Sequence, residues 1–498
     1  MKKTLTAAAL SSLMVLGLAT SALALHETET SETPTVAKGA SKITIDGSVR
    51  ERGMYDRNNA ADDAPGVSLY DSRIQLGVNA QVSEQATGYI RLESGADSGD
   101  TDQWGNGSAT GLHTGGDKLG SPTILEAWVN YQPGIWGVKA GHMPLALGNK
   151  VFFDHTGSGD DALVFYANLG EATHVAGLTI KFDEQFTNDG SDDLDGYVAL
   201  VTHKVNDALN LGANWTYLRG GADSGLAIPG AAFDPITGDL VASPTVLGYE
   251  LAAGMSMSNI GLTADGKVGP ISYLADLEMQ FGDVANYDDG ADSTTVDANG
   301  WAAKLGANYD LGVGKVGLLF GYGSGDEDSE HNDDLADGGD LDHDAFINFL
   351  TDTTYDTIIA GYRSAIPGAN SWASPAGTGA ANGRNTGLAN LTLYQLNGST
   401  KVVCPLTGKD LSLFASASYM QLSEDMINGT DDDGSEHEVD NVGTEVDLVA
   451  TWALTAGLNY RVEAAYLWTG DVYETETLGD SSDTQDLAFI RHSLDLKF

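Results

Sequence analysis

Apolar and polar residues alternate along extended segments of this chain, and the C-terminal segment shows the pattern most clearly. Phe498, Leu496 and Leu494 fall on one face of a strand, whereas Lys497 and Asp495 fall on the other. Successive side chains of a strand point to opposite faces, so the segment predicts a strand with one apolar face and one partly polar face. An edge strand of a soluble β-sandwich would show the same alternation. This segment alone therefore does not establish the fold class, and the pattern of the other segments is needed.

The same alternation recurs about 18 times after residue 40, which predicts an all-β chain. The predicted strands cover 41–54, 68–82, 87–95, 122–132, 135–144, 161–168, 173–183, 195–204, 209–219, 246–264, 270–283, 297–310, 314–323, 386–404, 410–423, 443–453, 457–469 and 485–498. Short turns such as Pro133-Gly134 and Asp265-Gly266-Lys267 alternate with long loops rich in Asp, Gly, Asn and Ser. An even number of strands with this asymmetry predicts a transmembrane antiparallel up-and-down β-barrel, with short periplasmic turns and long extracellular loops.

Aromatic residues support the barrel over the sandwich. Tyr131, Trp136 and Tyr309 fall near the short-turn ends of their strands, and Tyr217 and Trp301 fall near the long-loop ends. Two bands of amphipathic rings at opposite strand ends suit the two membrane–water interfaces. A sandwich core would place aromatic residues in the middle of strands as often as at their ends.

The N-terminus predicts export from the cytoplasm. Residues 1–24 combine a basic start, a short apolar run and a small-x-small cleavage site, which is the pattern of a secretory signal peptide. Residues 25–40 are polar and predict a disordered periplasmic lead-in, so the barrel takes up residues 41–498.

Charge and cysteine content exclude several classes of function. The formal net charge of -46 disfavours nucleic acid as a partner, because binding nucleic acid needs clustered Lys and Arg. The only cysteine, Cys404, allows neither an intramolecular disulfide nor a Cys-x-x-Cys-His haem attachment. The chain also lacks the common catalytic motifs, so no enzyme is expected.

One predicted loop is far longer than the others. Residues 324–385 begin with an acidic tract and continue through an apolar patch that includes Phe346 and Ile359. The patch predicts that part of this loop packs into the barrel mouth or across its top, as a constriction or a lid. The acidic loops lack the spacing of an EF-hand, so no cofactor is expected, only weak binding of divalent cations by these loops.

The polar faces of the strands, projected into the lumen, place basic residues on one wall and acidic residues on another. The predicted basic wall contains Arg50, Arg52, Arg73, Arg91, Lys139, Arg461 and Arg491. The predicted acidic wall contains Glu250, Asp276 and Glu278. Opposed walls would create a transverse field across a narrow passage and set its selectivity. In the alternative interpretation, the Arg side chains form structural ion pairs with Glu93, Glu126, Glu463 and Asp447, and the two interpretations are compatible.

The stretch from Lys139 to Lys150 (KAGHMPLALGNK), continued by Val-Phe-Phe-Asp154, carries a family resemblance. It resembles the alginate-export-like family of roughly 18-stranded porins, in which a Lys/Arg-x-Gly-Arg-Gln-x5-Gly stretch ends a strand and opens a loop that folds inward. His142 and Met143 stand where that family has Arg-Gln, and the acidic charge does not suit an exporter of a polyanion. The resemblance therefore implies the fold and the inward loop but not alginate as the solute.

The chain is also similar to abundant porins of anaerobic, metal-respiring bacteria, and its terminal Phe498 resembles the sorting signal of outer-membrane barrels. Together these features predict a porin of a Gram-negative outer membrane that gives passive diffusion to small hydrophilic or charged solutes. The loops after the fifth and thirteenth strands would narrow its passage. Expected partners are outer-membrane lipid and lipopolysaccharide, and a homo-oligomer remains open. Two alternatives are a barrel scaffold that sheathes separate cytochromes for electron transfer, and a secreted calcium-binding β protein.

Overall fold

The fold is described from a computed structural model. It describes residues 35–38, 41–57, 66–94, 102–103, 122–183, 193–221, 232–233, 240–241, 254–288, 293–325, 341–351, 355, 357–360, 366, 387–405, 407–430, 436–477, 480–482 and 485–498. The predicted signal peptide and most of the predicted lead-in lie outside these residues. Residues 35–38 form a short strand antiparallel to the start of the first barrel strand, so this part of the lead-in is extended and paired.

Eighteen antiparallel strands form a closed barrel, which confirms the predicted fold class and strand number. The strands are β1 (Ser41–Arg57), β2 (Val67–Gln81), β3 (Ala86–Ser94), β4 (Pro122–Tyr131), β5 (Trp136–Met143), β6 (Asp160–Leu169), β7 (Thr173–Asp183), β8 (Leu194–Asn206), β9 (Leu209–Gly220), β10 (Ser256–Val268), β11 (Ile271–Asp288), β12 (Trp301–Asp310), β13 (Gly314–Gly323), β14 (Leu391–Val403), β15 (Asp410–Thr430), β16 (Glu436–Thr455), β17 (Leu458–Thr469) and β18 (Leu487–Lys497). Arg52 on β1 is opposite both Asp71 on β2 and Ser493 on β18, so the first and last strands join and the sheet has no free edge there.

One predicted turn is wrong. Asp265, Gly266 and Lys267 do not turn but continue β10, and the reversal comes at Gly269 and Pro270. Gly269 has a φ of +60°, a conformation that glycine adopts without steric cost and that tight hairpin turns require. The residue types Asp and Gly favour a turn, but the pairing between β10 and β11 places Asp265 and Gly266 inside the strands.

The outer face of the barrel is apolar. Phe165, Leu318 and Ile490 are each about half exposed or more, with exposures of 58%, 64% and 49%, and they alternate along their strands with less exposed residues. The exposed rings of Trp136 and Trp301 lie at the ends of β5 and β12, as the interface pattern predicts. No helix among the described residues is both long and apolar enough to cross a membrane.

The C-terminal residue is fitted into the barrel wall. The backbone of Phe498 exchanges two hydrogen bonds with Gly47, at 2.9 Å and 3.0 Å. The Phe498 ring lies over Gly47, where an added Cβ would approach the ring Cζ to 2.7 Å. The terminal aromatic residue therefore closes the seam between β18 and β1, and glycine leaves the space that the ring occupies.

The inner face is not polar all round, contrary to the simple projection of polar faces into the lumen. On β6 to β9 many of the inward positions are apolar and buried, for example Val164, Ile180, Val198 and Leu218. They belong to the same buried apolar cluster as the loop between β5 and β6. An inward position is apolar here because protein, and not water, covers it.

Candidate functional site

The seven basic residues of the predicted wall lie on neighbouring strands. They are Arg461 on β17, Arg491 on β18, Arg50 and Arg52 on β1, Arg73 on β2, Arg91 on β3 and Lys139 on β5. The register places Arg50 directly opposite Arg73. We call this set the basic wall. The structure therefore brings the predicted residues together, while their role in lining the pore stays a prediction.

Ion pairs across neighbouring strands compensate the basic wall on β1 to β3. The guanidinium of Arg52 contacts both carboxylate oxygens of Asp71, with an Nη2–Oδ2 distance of 2.6 Å, and both side chains are buried. Arg73 contacts Glu93 at 2.6 Å. Bidentate pairs of this kind fix the orientation of both partners as well as their charge.

Further partners complete the wall on β3 to β5 and on β17 and β18. Arg91 contacts Glu126 at 2.9 Å. The carboxylate of Glu463 accepts hydrogen bonds from both Arg461 and Arg491.

The ammonium of Lys139 lies 3.9 Å from the ring centre of Trp128, which is a cation–π contact.

The ion pairs of the basic wall confirm the alternative interpretation for Glu93, Glu126 and Glu463. Asp447, the fourth acid named there, accepts a hydrogen bond from Ser416.

The loop between β5 and β6, residues 144–159, folds into the barrel and reaches the opposite wall. We call it the inward loop. The backbone N–H of Asn149 donates to Asp276 Oδ2 at 2.7 Å, and the ammonium of Lys304 donates to the Asn149 carbonyl at 3.1 Å. Gly148 has a φ of +53°, which helps the backbone turn at the tip.

Apolar side chains hold the inward loop in place. Val151, Phe152 and Phe153 are buried, as are Leu145 and Leu147. They face the apolar inner surface of β6 to β9, so burial of apolar area and the hydrogen bonds at the tip act together. The resemblance implied an inward loop at this place, and the structure has one.

We call the loop between β13 and β14, residues 324–390, the second loop, and its described residues 346–347 and 358–360 contact inward-facing side chains of the barrel. Glu445 on β16 accepts hydrogen bonds from three successive backbone N–H groups, those of Ile358, Ile359 and Ala360, at 2.7, 2.7 and 2.9 Å. The side chain of Gln280 pairs with both the N–H and the C=O of Ile347.

The two loops meet inside the barrel. The rings of Phe152 and Phe346 are 6.5 Å apart in an edge-to-face arrangement. Residues 349–351 pair in parallel with residues 153–154. The apolar patch predicted to pack, which includes Phe346 and Ile359, is therefore buried against the inward loop and the barrel wall.

A polar cavity of about 220 Å³ lies between the basic wall and the inward loop. Arg73, Gln75, Arg91 and Glu126 line it from the wall, and residues 156–159 line it from the loop. In this cavity, charged side chains of the basic wall face open space beside the inward loop. It can hold a small polar solute in contact with guanidinium and carboxylate groups.

The predicted acidic wall is positioned differently. Asp276 and Glu278 on β11 are 2% and 0% exposed, under the tip of the inward loop. Glu250 lies outside the described residues. Lys304 is opposite Asp276 on the neighbouring strand β12. Whether these acids line the pore stays a prediction.

Sequence reasoning did not single out four residues that hold the loops: Asn149, Gln280, Lys304 and Glu445. For the three that lie on strands, the available signal was their place on the polar face, as for Gln280 on β11 and Glu445 on β16, whereas Asn149 lies in the inward loop. The alternation shows that such residues point inward, but it does not show which loop they contact.

Comparison with known proteins found one matching family model and a set of solved structures. The family model described as "Alginate export" matches residues 252–485, slightly less than half of the chain. The match covers β10 to β17 and the second loop, whereas the Lys139–Lys150 stretch lies outside it. No curated protein sequence matches the chain. Together with the closed barrel, this match supports an outer-membrane porin and the predicted localisation, and its description is one of transport and not of catalysis.

Several solved structures align with most of this chain. OccK5 (OpdH) of Pseudomonas aeruginosa is 12% identical, with a TM-score of 0.47 over 91% of this chain and 98% of that one. OccAB2 of Acinetobacter baumannii is 11% identical, with a TM-score of 0.47 over 91% and 98%. OccK10 (OpdN) of P. aeruginosa is 10% identical, with a TM-score of 0.49 over 93% and 99%. At these TM-scores the likenesses carry no argument about this chain.

Proposed function

We propose that this barrel is a passive diffusion porin and that solutes pass between the basic wall and the inward loop. The observation that carries the proposal is the polar cavity of about 220 Å³ between Arg73, Arg91 and residues 156–159. On the opposite side, the apolar cluster around Phe152 and Phe346 packs between the loops and the wall and leaves a smaller cavity, of about 120 Å³, beside residues 145–150. Water and small polar solutes would therefore pass along the basic wall.

The ion pairs of the basic wall give this path its selectivity. Because Arg73 and Arg91 are paired with Glu93 and Glu126, the wall offers donors and acceptors side by side with little net charge. Such a surface replaces part of the hydration shell of a charged or zwitterionic solute without binding it tightly. Permeation runs down a gradient, with no chemical step.

The outer surfaces suggest the partners of the protein. The exposed apolar face contacts membrane lipid. The acidic loops would meet the phosphate groups of lipopolysaccharide through bridging divalent cations. A homo-oligomer would have to form on the same apolar face.

A planar bilayer tests the proposal. Purified protein should give stepwise conductance, and Arg91→Ala should shift the reversal potential in a salt gradient toward cations, because Glu126 then loses its ion-pair partner. The double variant Arg91→Ala/Glu126→Ala removes both charges and should return the reversal potential toward that of the wild type. Absence of conductance steps would remove the porin function, and an unchanged reversal potential in Arg91→Ala would confine Arg91 to a structural role.

The alternative, a scaffold around separate cytochromes, gains no support from the described residues or from the comparisons. Co-purification of haem proteins with the barrel, in the absence of conductance, would favour it.

A further inference from the structure

Three polar residues interrupt the apolar outer face of the barrel where the first and last strands join. Odd-numbered residues of β1 face outward, as the exposed Tyr55 shows, and this series includes Glu51. Even-numbered residues of β18 face outward, as the exposed Ile490 shows, and this series includes His492. Ser72 on β2 is opposite Glu51 in the ladder and shares its face. We call Glu51, Ser72 and His492 the seam patch.

The seam patch lies in the part of the wall that faces the membrane interior. Along β1, Glu51 is four residues from Gly47, against which the ring of Phe498 packs, and four residues from Tyr55. The two rings lie toward the periplasmic and extracellular ends of the strands, where aromatic side chains meet the membrane–water interfaces. At about 3.3 Å per residue and a tilt of about 40°, Glu51 lies roughly 10 Å from either ring. Its carboxyl group therefore faces hydrocarbon and not lipid headgroups.

The register places Glu51 and His492 at nearly the same depth in the membrane. One row of paired residues runs from the periplasmic end of β18 to the extracellular end of β4: Lys497, Ser48, Gln75, Glu93 and Thr123. Rows therefore climb from β18 toward β4, and a residue of β1 lies higher than its partner on β18. His492 is opposite Gly53, two residues above Glu51, so the climb offsets most of this difference. The acid and the base thus lie side by side in the plane of the membrane.

Local contacts hold both side chains close to the sheet. A Cβ added to Gly53 would lie 2.6 Å from His492 Nε2 and 2.6 Å from Tyr70 Cε1, so the two rings occupy the space that a side chain would fill. These rings are 6.1 Å apart in an edge-to-face arrangement. The buried hydroxyl of Ser72 donates to the carboxylate of Glu51. The imidazole and the carboxylate are therefore oriented at the surface of the wall, where a second wall can reach them.

The charges of the seam patch are not compensated within the described part of one chain. His492 contacts the rings of Tyr70 and Tyr460, and Glu51 accepts from a hydroxyl, so neither meets an opposite charge among the described residues. Ionisable side chains in hydrocarbon are costly, and where they occur they usually pair with another polar group of a protein. Lipid tails supply no such group. The patch therefore points to a second protein surface that carries an acid and a base at this depth.

We propose that the seam patch is a dimer interface between two copies of this chain. A two-fold axis along the membrane normal, passing between Glu51 and His492, brings the Glu51 of each copy to the His492 of the other. One acid and one base at equal depth are self-complementary under this operation. A ring of three copies would form one such pair at each contact, whereas the two-fold contact forms two. Each copy keeps its own pore, so the interface does not depend on which solute permeates.

Charge exchange tests the proposal, with the molar mass of the folded protein measured in a mild detergent over a range of concentrations. The wild type should be a dimer. Glu51→His brings two bases together and His492→Glu brings two acids together, so each should raise the dissociation constant of the dimer by at least about tenfold. The double variant Glu51→His/His492→Glu again offers one acid and one base to each contact. Its dissociation constant should return toward that of the wild type.

A control and a second measurement separate the seam patch from the rest of the outer face. His203→Glu makes the same exchange at an outward position of β8 and should leave the dimer intact. In outer membranes, in a background with Cys404→Ser, Leu494→Cys should form an intermolecular disulfide under an oxidant, because residue 494 is opposite Glu51. The more exposed Leu318→Cys, on β13, should form none. This measurement does not require the charge variants to fold.

Three results would overturn the proposal. A wild type that is monomeric in detergent and forms no disulfide at Leu494→Cys would leave the seam patch facing lipid. A dimer that is equally stable in the wild type and in both single charge variants would place the interface on another face. A trimer would exclude the two-fold contact.

Discussion

The lumen compensates its charges in two different ways on its two sides. On the basic wall the partners come from neighbouring strands, as Arg52 and Asp71 do, and the strand register alone brings them together. On β11, Glu278 likewise accepts from Asn259 on the neighbouring strand β10, but Asp276 also accepts the N–H of Asn149 from the inward loop. The described ion pairs of the basic wall thus need no loop, whereas Asp276 has one of its partners only when the inward loop is in place.

The difference suggests that the two sides of the lumen have different structural roles. A wall with internally paired charges can remain open to water without rearranging. A buried carboxylate that accepts a backbone N–H group of a loop, as Asp276 does, can hold that loop at a fixed position. The following substitutions separate the two sides, from the largest expected effect to the smallest.

The largest effect is expected from breaking a buried pair of the basic wall. Asp71→Leu leaves the Arg52 guanidinium buried without its carboxylate and should lower the free energy of unfolding by about 3–5 kcal/mol. Urea unfolding in detergent measures it. The double variant Arg52→Met/Asp71→Leu removes both charges and should recover most of the loss. A single variant as stable as the wild type would show that the pair contributes nothing.

Next comes the attachment of the second loop. Glu445→Ala removes the acceptor of three backbone N–H groups, each of which costs about 1–3 kcal/mol when left buried and unsatisfied. We expect the loop to detach, so that protease cleaves near residues 357–360 much faster than in the wild type. Asp161→Ala, which removes an acid that is 73% exposed, is the control. Equal cleavage rates in both variants would contradict the role of Glu445.

A smaller effect is expected from the one lysine of the acidic region. Lys304→Met removes the positive charge opposite Asp276 and the donor to the Asn149 carbonyl, and should lower the free energy of unfolding by about 1–3 kcal/mol. The exposed Lys315→Met, on the neighbouring strand β13, should leave the free energy of unfolding unchanged. Urea unfolding in detergent compares the two, and equal stability of the two variants would contradict the role of Lys304 at the tip of the inward loop.

The smallest effect is expected from an ion pair that belongs to neither side. Lys204 lies beside Asp207 in an exposed turn and lowers the pKa of that carboxyl. A carboxyl group with a lowered pKa stabilises the folded state at pH values above its pKa in the unfolded chain. This contribution is lost as the pH falls through its pKa in the folded state. Because the pair is exposed, Lys204→Ala should leave the urea midpoint unchanged at either side of that range. A clear shift of the urea midpoint in Lys204→Ala would contradict the small contribution to stability that is expected of an exposed ion pair.

The barrel itself was predictable because lipid outside and water or protein inside impose a period of two. That period predicts β7 and β13 with the bounds that the structure has, 173–183 and 314–323. It also places Arg52, Arg73 and Arg91 on one wall, since the position of an inward residue follows from the strand that carries it.

The interior of the barrel was harder to predict because its contacts are not local. Asn149 and Asp276 are 127 positions apart, and no period along the chain relates them. The apolar inner positions of β6 to β9, such as Val164, look like a break in the alternation until the inward loop is seen to cover them. The turn assigned to Asp265 and Gly266 failed for a similar reason, because cross-strand pairing outweighed the local turn preference.

The central claim is that solutes pass beside the basic wall and not beneath the loops. Two glutamines provide a matched test: Gln75 borders the polar cavity, whereas Gln280 is buried and bonded to Ile347 of the second loop. In a background with Cys404→Ser, single channels of Gln75→Cys should be blocked by a water-soluble thiol reagent, and those of Gln280→Cys should remain open. Block of Gln280→Cys with no block of Gln75→Cys would contradict the claim.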